Sequence, residues 1–316
     1  MGTTVSVAGG GLAGSAAALA ALAAGAGVRL FEKSAFPRHK VCGEFLSPEV
    51  VGLLEELGAA ESLLAAHPAP MRRAVLRVGR VEKSWTLEET AYGMSRYRLD
   101  QLLLELAVER GAQWERAKVD SLPQPYVWAV GRTDAAPRGE RLFGFKAHFT
   151  GPANDAVELY FFRGGYVGVN SVEGGYTNVC GLCREELLPV DGVLGRMDAL
   201  RERLRPLTQV FDWLHTGPLV FRQHFETERY AAGDALSFVD PFTGTGMLSA
   251  LISGQSAGRC AATGVPAGEH LAYCRRRLKG AFAASSLYRR ALECGWAERL
   301  LPFVPSAVLF RSTRPK

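Results

Sequence analysis

Val5-Ser6-Val7-Ala8-Gly9-Gly10-Gly11-Leu12-Ala13-Gly14 joins a short β-prone run to a glycine turn, and an Ala-rich stretch to about Ala24 and Val28-Arg29-Leu30-Phe31-Glu32 follow. The order is strand, glycine turn, helix, strand. Gly9, Gly11 and Gly14 fit G-x-G-x-x-G, with one glycine for the tight turn, one for close approach to a pyrophosphate, and one to pack helix on strand. The helix that starts here turns free N–H groups toward a diphosphate. Glu32 ends the second strand about 20 residues after the turn, where a carboxylate accepts ribose hydroxyls and repels a 2′-phosphate. This local pattern predicts a dinucleotide site in a parallel α/β sheet.

The same stretch carries no charge from Gly9 to Gly27, a length that could pass for a membrane span. Its Ala and Gly content and the lack of a basic region before it argue for a buried helix instead. The 316 residues are 47% hydrophobic and 22% charged, which excludes a disordered chain and leaves room for two core-bearing domains. Lys and Arg exceed Asp and Glu by 37 to 32, and the excess gathers in the last fifty residues, too local to argue for nucleic acid. Six scattered cysteines, Cys42, Cys180, Cys183, Cys260, Cys274 and Cys294, read as reduced thiols of a cytoplasmic enzyme.

Three further stretches point to flavin. Phe36-Pro37-Arg38-His39-Lys40-Val41-Cys42-Gly43-Glu44-Phe45-Leu46-Ser47-Pro48, then Ser95-Arg96-Tyr97-Arg98-Leu99-Asp100 with Leu102-Leu103 and Gly111-Ala112, then Ala232-Gly233-Asp234-Ala235 with Asp240-Pro241-Phe242-Thr243-Gly244-Thr245-Gly246-Met247 occur in that order. Together they resemble the geranylgeranyl-reductase-like FAD-dependent oxidoreductases of the para-hydroxybenzoate-hydroxylase superfamily, over roughly residues 3 to 265. The resemblance implies an α/β, two-domain fold: a Rossmann-like FAD-binding domain of glutathione-reductase type, an inserted antiparallel β-sheet substrate domain, and C-terminal helices. It implies that FAD is held by Gly9, Gly11, Leu12, Ala13, Gly14, Glu32, Lys33, Arg38, Lys40, Cys42, Gly43, Arg96, Gly233, Asp234, Pro241, Gly244, Thr245, Gly246 and Met247. From chemistry alone, Asp234 suits a ribityl hydroxyl. The helix opened by Gly244-Thr245-Gly246 presents its positive end to the flavin pyrimidine edge.

The middle of the chain alternates β-prone runs with turn residues: Ala74 to Trp85, Leu142 to Phe149, Ala156 to Phe162, Tyr166 to Asn170, Tyr176 to Leu182 and Leu219 to Arg222. We therefore expect the FAD domain in 1–68, 88–135 and 226–266, the substrate sheet in 69–87 and 136–225, and a helical segment in 267–316. Gly164-Gly165-Tyr166-Val167-Gly168-Val169-Asn170-Ser171 resembles the family's P-G-G-Y-x-W-x-F-P segment, but Gly168 and Ser171 stand at its Trp and Pro. That departure reshapes the pocket, so a long isoprenoid substrate is not carried over. Val127-Trp128-Ala129-Val130-Gly131-Arg132 lacks the family's Asp-Gly, which leaves NAD(P)H as direct reductant open and a separate reductase as an alternative source of electrons. No W-x-W-x-I-P segment is present, which argues against a flavin halogenase.

Cys180-Gly181-Leu182-Cys183, with no second pair or nearby His, reads as two packed thiols rather than a zinc or redox site. The six histidines show no metal-ligand spacing. Cys42 and Tyr166 are the weak catalytic candidates, with His39 and Glu44 as guesses from position. The C-terminal stretch reads as a basic helix, Tyr273 to Ala283, then a second helix, Leu287 to Leu301, capping the domain more plausibly than resting on a membrane. The expected function is an FAD-dependent oxidoreductase moving a hydride between reduced flavin and a double bond of a hydrophobic small molecule. Its rivals are a monooxygenase that hydroxylates an aromatic or polyketide-like substrate through a C4a-hydroperoxide, and a flavin-binding protein with weak or lost turnover.

Overall fold

The computed structural model describes residues 2–132, 141–293, 297–300 and 303. Strand β1 (Thr4–Ala8) leads through the glycine turn into helix α1 (Leu12–Ala23) and strand β2 (Gly27–Phe31). The chain continues through β3 (Phe45–Leu46), α2 (Pro48–Glu56), α3 (Ala60–Ala65), β4 (Ala69–Val78), β5 (Val81–Gly93), α4 (Arg96–Glu109), β6 (Gln113–Glu115) and β7 (Tyr126–Trp128). Next come β8 (Leu142–Thr150), β9 (Ala156–Phe162), β10 (Gly165–Ser171), β11 (Thr177–Arg184), α5 (Val190–Leu194), α6 (Asp198–Leu204), β12 (Thr208–Gln209) and β13 (Leu214–Leu219). Last are β14 (Arg222–Gln223), β15 (Tyr230–Ala231), β16 (Ser237–Phe238), α7 (Gly246–Thr263), α8 (Ala267–Glu293) and α9 (Ala297–Leu300).

The first sheet is parallel, ordered β15-β7-β1-β2-β6, which puts the glycine turn at the carboxyl end of its central strand. Open α/β sheets bind their ligands there. Helix α1 is buried along nearly its whole length because its alanines meet α7 at backbone contact. A Cβ at Gly254 or Gly258 would run into the carbonyl oxygen of Ala13 or Ala17. The uncharged N-terminal run is therefore a core helix. Among the described residues no helix is long and apolar enough to cross a membrane.

The second sheet runs β12-β8-β11-β10-β9-β4-β5-β3, with β13 also paired to β8. It is mixed rather than antiparallel, because β4 and β9 pair in parallel. The chain between them passes through the first sheet as β6 and β7, so β9 starts again from the end where β4 started. Ala74 to Trp85, predicted as one run, spans two strands that reverse at Gly79, whose φ of 57° suits the turn. Strand β5 continues to Gly93, across the boundary drawn after residue 87, and β3, in the first predicted FAD-domain block, pairs with β5. Leu219 to Arg222 straddles the end of β13 and the start of β14.

The C-terminal region holds one helix to Glu293 where two were predicted. No Gly or Pro interrupts it after Gly280, and the hydroxyls of Ser285 and Ser286 donate to the carbonyls of Ala281 (2.8 Å) and Phe282 (3.1 Å), staying within the helix. The end of the predicted Leu287–Leu301 helix is α9 (Ala297–Leu300), while Cys294, Trp296, Leu301 and the tail from Val304 lie outside the described residues.

Candidate active site

Gly9 adopts φ of 100°, and its missing Cβ leaves room for the carbonyl of Ala129, just after β7. A Cβ at Gly14 would run into the carbonyl oxygen of Gly9. Glu32 closes the loop from the far side. Its carboxylate accepts the N–H of Gly10 (2.9 Å) and of Ser34 (2.8 Å), and Arg38 Nη2 lies at 3.4 Å. Burial pushes this carboxyl upward, but those N–H groups with Arg38 and Lys40 outweigh it and hold it below its ordinary range.

Two cations converge over the start of α1. Lys40 Nζ lies 3.0 Å from where a Gly11 Cβ would stand, and it pairs with Asp100 at 2.8 Å. Arg96 grips the same carboxylate with two bonds, Nε to Oδ1 at 2.6 Å and Nη2 to Oδ2 at 2.9 Å. Burial opposes ionisation of Asp100, yet the two cations bring its carboxyl down to about 2. Arg96 is thus a positioned side chain in the wall of the cavity. One carboxylate shared by two cations leaves positive charge in excess, facing the free N–H groups of a helix start, and that donor set suits a diphosphate.

The late motif closes the other side. Gly233, at φ of 63°, tucks against Ala13, and its N–H donates to Ser253 Oγ at 2.9 Å. Asp234 faces the cavity, and burial raises its carboxyl although Arg96, Lys40 and Arg132 pull the other way. Thr245 is the N-cap of α7 with its side chain turned away onto Thr243 Oγ1 at 2.8 Å, so it leaves the helix N–H groups uncapped. Leu12, Ala13 and Met247 are core residues and can offer a cofactor only their backbone.

A cavity of about 810 Å³ joins these groups to the second sheet. Glu32, Lys33, Arg38, Lys40, Cys42, Gly43, Arg96, Asp234, Pro241 and Gly244 line one side. Trp85, Leu159, Phe161, Tyr166, Gly168 and Leu182 line the sheet side, and Tyr288 and Ala291 of α8 close a third. The volume lies in the range of ligand pockets, and its lining is mostly apolar with a few convergent polar groups. Cys42 and Cys180 both face this space, whereas Cys183 points to the opposite face of β11 and packs in the core beneath. The C-x-x-C spacing on a strand thus separates its thiols, and both are free. Burial pushes the Tyr166 hydroxyl well above its ordinary range, which makes it a hydrogen-bond donor rather than a base.

The sequence reading missed what holds the Arg38–Glu44 loop on the sheet. Glu44 is buried with φ of 55°; its carboxylate accepts Lys146 Nζ and the Arg96 N–H (2.6 Å) and lies 2.7 Å from His148 Nε2. Burial pushes Glu44 upward, but Lys146 and His148 outweigh it and its carboxyl lies below 4.5. Asn178 adds two bonds to the same loop, donating to the carbonyls of Cys42 (3.2 Å) and Gly43 (3.0 Å). The available signal was Gly144, Lys146 and His148 at alternate positions of an apolar strand: charge on a buried face demands a partner. His39 packs against His148 (5.2 Å), Phe211 (4.6 Å) and Tyr97 (4.7 Å), and burial followed by Lys146 and His148 lowers it to about 4. It is neutral at pH 7 and serves as a spacer in this wall more readily than as an acid.

Residues 2–124 match the family described as FAD binding domain. Menaquinone reductase of Mycobacterium tuberculosis, in two strains, is 38% identical over 116 residues, 34% of this chain. The chain spans 28% of the length of those curated relatives. Among solved structures, a triple mutant of the flavin-dependent brominase Bmp2 superposes with a TM-score of 0.80 at 17% identity, covering 97% of this chain and 93% of that one. A flavoprotein/dehydrogenase from Cytophaga hutchinsonii gives 0.80 at 15% identity over 99% and 91%. CmlS, a flavin-dependent halogenase, gives 0.75 at 20% over 100% of this chain and 68% of that one. These likenesses are of fold. The cofactor is FAD, and the glycine cradle, the two cations on Asp100 and the Asp234 carboxylate fit it.

Proposed function

We propose that the chain is an FAD-dependent oxidoreductase that reduces a polarised double bond in a hydrophobic small molecule, drawing electrons from NAD(P)H or from a separate reductase. The observation that carries this reading is the continuity of the cavity: one apolar space runs from the cofactor-binding groups to the wall of the second sheet. The curated name of the relatives, menaquinone reductase, supports a reductase acting on a lipophilic acceptor.

Bound FAD supplies a two-electron hydride carrier. Glu32 is assigned to the adenosine ribose, Lys40 and Arg96 with the start of α1 to the diphosphate, and Asp234 to the ribityl chain. The start of α7 offers N–H groups and its positive end where negative charge on the reduced ring needs support. The apolar sheet wall and α8 exclude water around the reacting double bond. Tyr166, kept protonated by burial, stands in that sheet wall beside the space for the acceptor.

The test is anaerobic mixing of reduced, FAD-loaded protein with a lipophilic quinone. Return of oxidised-flavin absorbance in the absence of oxygen is the expected result. Reoxidation by dioxygen alone, with a transient preceding it, would replace this reading by a monooxygenase.

A further inference from the structure

Gly168 stands in the middle of β10, which pairs on one side with β11 and on the other with β9. Glycine weakens the interior of such a strand, and it is kept there for a bulge, a bend, a close backbone neighbour or a ligand that approaches closely. The register is unbroken, with Gly168 opposite Cys180 and Leu159, so neither a bulge nor a bend explains it. A positive φ does not explain it either, since Gly168 is not among the residues in the left-handed region. Nor does packing: an added Cβ would meet nothing nearer than Leu159 Cδ2 at 3.4 Å and the Cys180 carbonyl oxygen at 3.5 Å, ordinary contacts. Gly165 in the same strand differs, because its Cβ would lie 2.5 Å from the Leu182 carbonyl oxygen.

What lies over Gly168 is the cavity. The geometry points to Gly168 as a specificity-determining residue that leaves bare backbone in the cavity floor for a flat conjugated ring of the substrate. The window is bounded along the strand by Tyr166 and Asn170, about 13 Å apart at this rise per residue, and across it by Leu159 and Cys180, about 9.6 Å apart over two strand spacings. Its flanks are mostly apolar, and Asn170 sets an amide at one end. That frame suits a planar ring carrying a polar substituent better than a thin saturated chain, which would leave the floor unfilled. The inference rests on the oxidoreductase reading and narrows its substrate to a class.

The test uses FAD-loaded protein and menadione as the planar probe, with binding read from perturbation of the oxidised flavin spectrum and folding read from Tm. Gly168→Ala is expected to raise Tm by about 1–3 °C, because a strand interior favours alanine, and to weaken menadione about tenfold. Gly168→Phe should keep its FAD and lose menadione by about 100-fold or more. Wild-type affinity in the Phe variant, a lowered Tm in the Ala variant, or no saturable perturbation by menadione in the wild-type protein would each overturn the assignment. If the binding pattern holds but reduced flavin never passes electrons to the bound quinone, the oxidoreductase reading fails and the assignment of Gly168 to ring binding stands.

Discussion

Replacing Glu44 with alanine is expected to lower folding stability by about 3–5 kcal/mol, among the largest effects of any side chain outside the glycine turn. Glu44 is completely buried and so is Lys146, and removing one partner leaves the other charge stranded in the interior. The same change strips the acceptor from His148 Nε2 and from the Arg96 N–H at the start of α4. Denaturant midpoints should show the loss, and flavin content should fall with it, because the loop that Glu44 anchors carries Lys40. The double replacement Glu44→Gln with Lys146→Met should recover much of the stability, since a buried pair exchanged for neutral groups of similar volume is often near neutral. An unchanged midpoint in Glu44→Ala would contradict this account of the loop.

The pair also fixes a pH dependence. Glu44 is lowered in the folded state from 4.5, so its contribution is fully present above that value and is lost as pH falls through the folded one. Stability in the wild-type protein should therefore drop on acidification below about pH 4.5 more steeply than in the double variant.

The parts of this molecule that were legible in its sequence are those in which neighbours along the chain make the feature. Gly9, Gly11, Gly14 and Glu32 act within one strand-turn-helix-strand unit, so their spacing states their geometry. Arg96 and Asp100, four residues apart on α4, were not read as a pair; the structure shows that they meet and that Lys40 shares the carboxylate. The Glu44–Lys146 pair was not legible, because 102 positions separate its members and neither segment has a periodic pattern that names the other. The parallel pairing of β4 with β9 was missed for the same reason: strand propensity gives no direction of pairing. Gly168 was noticed as a departure from a family segment, but its meaning depends on which atoms surround it in the fold.

The second large effect concerns the cofactor. Glu32→Ala and Asp234→Ala should each weaken FAD binding by about 10–100-fold, the value of one charge-assisted hydrogen bond at about 1.5–3 kcal/mol. Glu32 also accepts the Gly10 and Ser34 N–H groups, so its loss should lower Tm as well as affinity. Among the described residues Asp234 makes no such closing contact, and burial already raises its carboxyl, so its loss should reduce affinity with little change in Tm. Full flavin occupancy in both purified variants would remove these residues from the cofactor site.

Whether the glycine turn and Glu32 hold the adenosine half of a dinucleotide is read from a fluorescence titration of flavin-free protein with FAD and, separately, with FMN. FMN carries the reacting ring and ribityl chain and lacks the adenosine. One equivalent of FAD should bind, roughly 100-fold or more tightly than FMN. Equal affinity for the two flavins would contradict the account, because the cradle built by Gly9, Gly14 and Glu32 would then contribute nothing to binding.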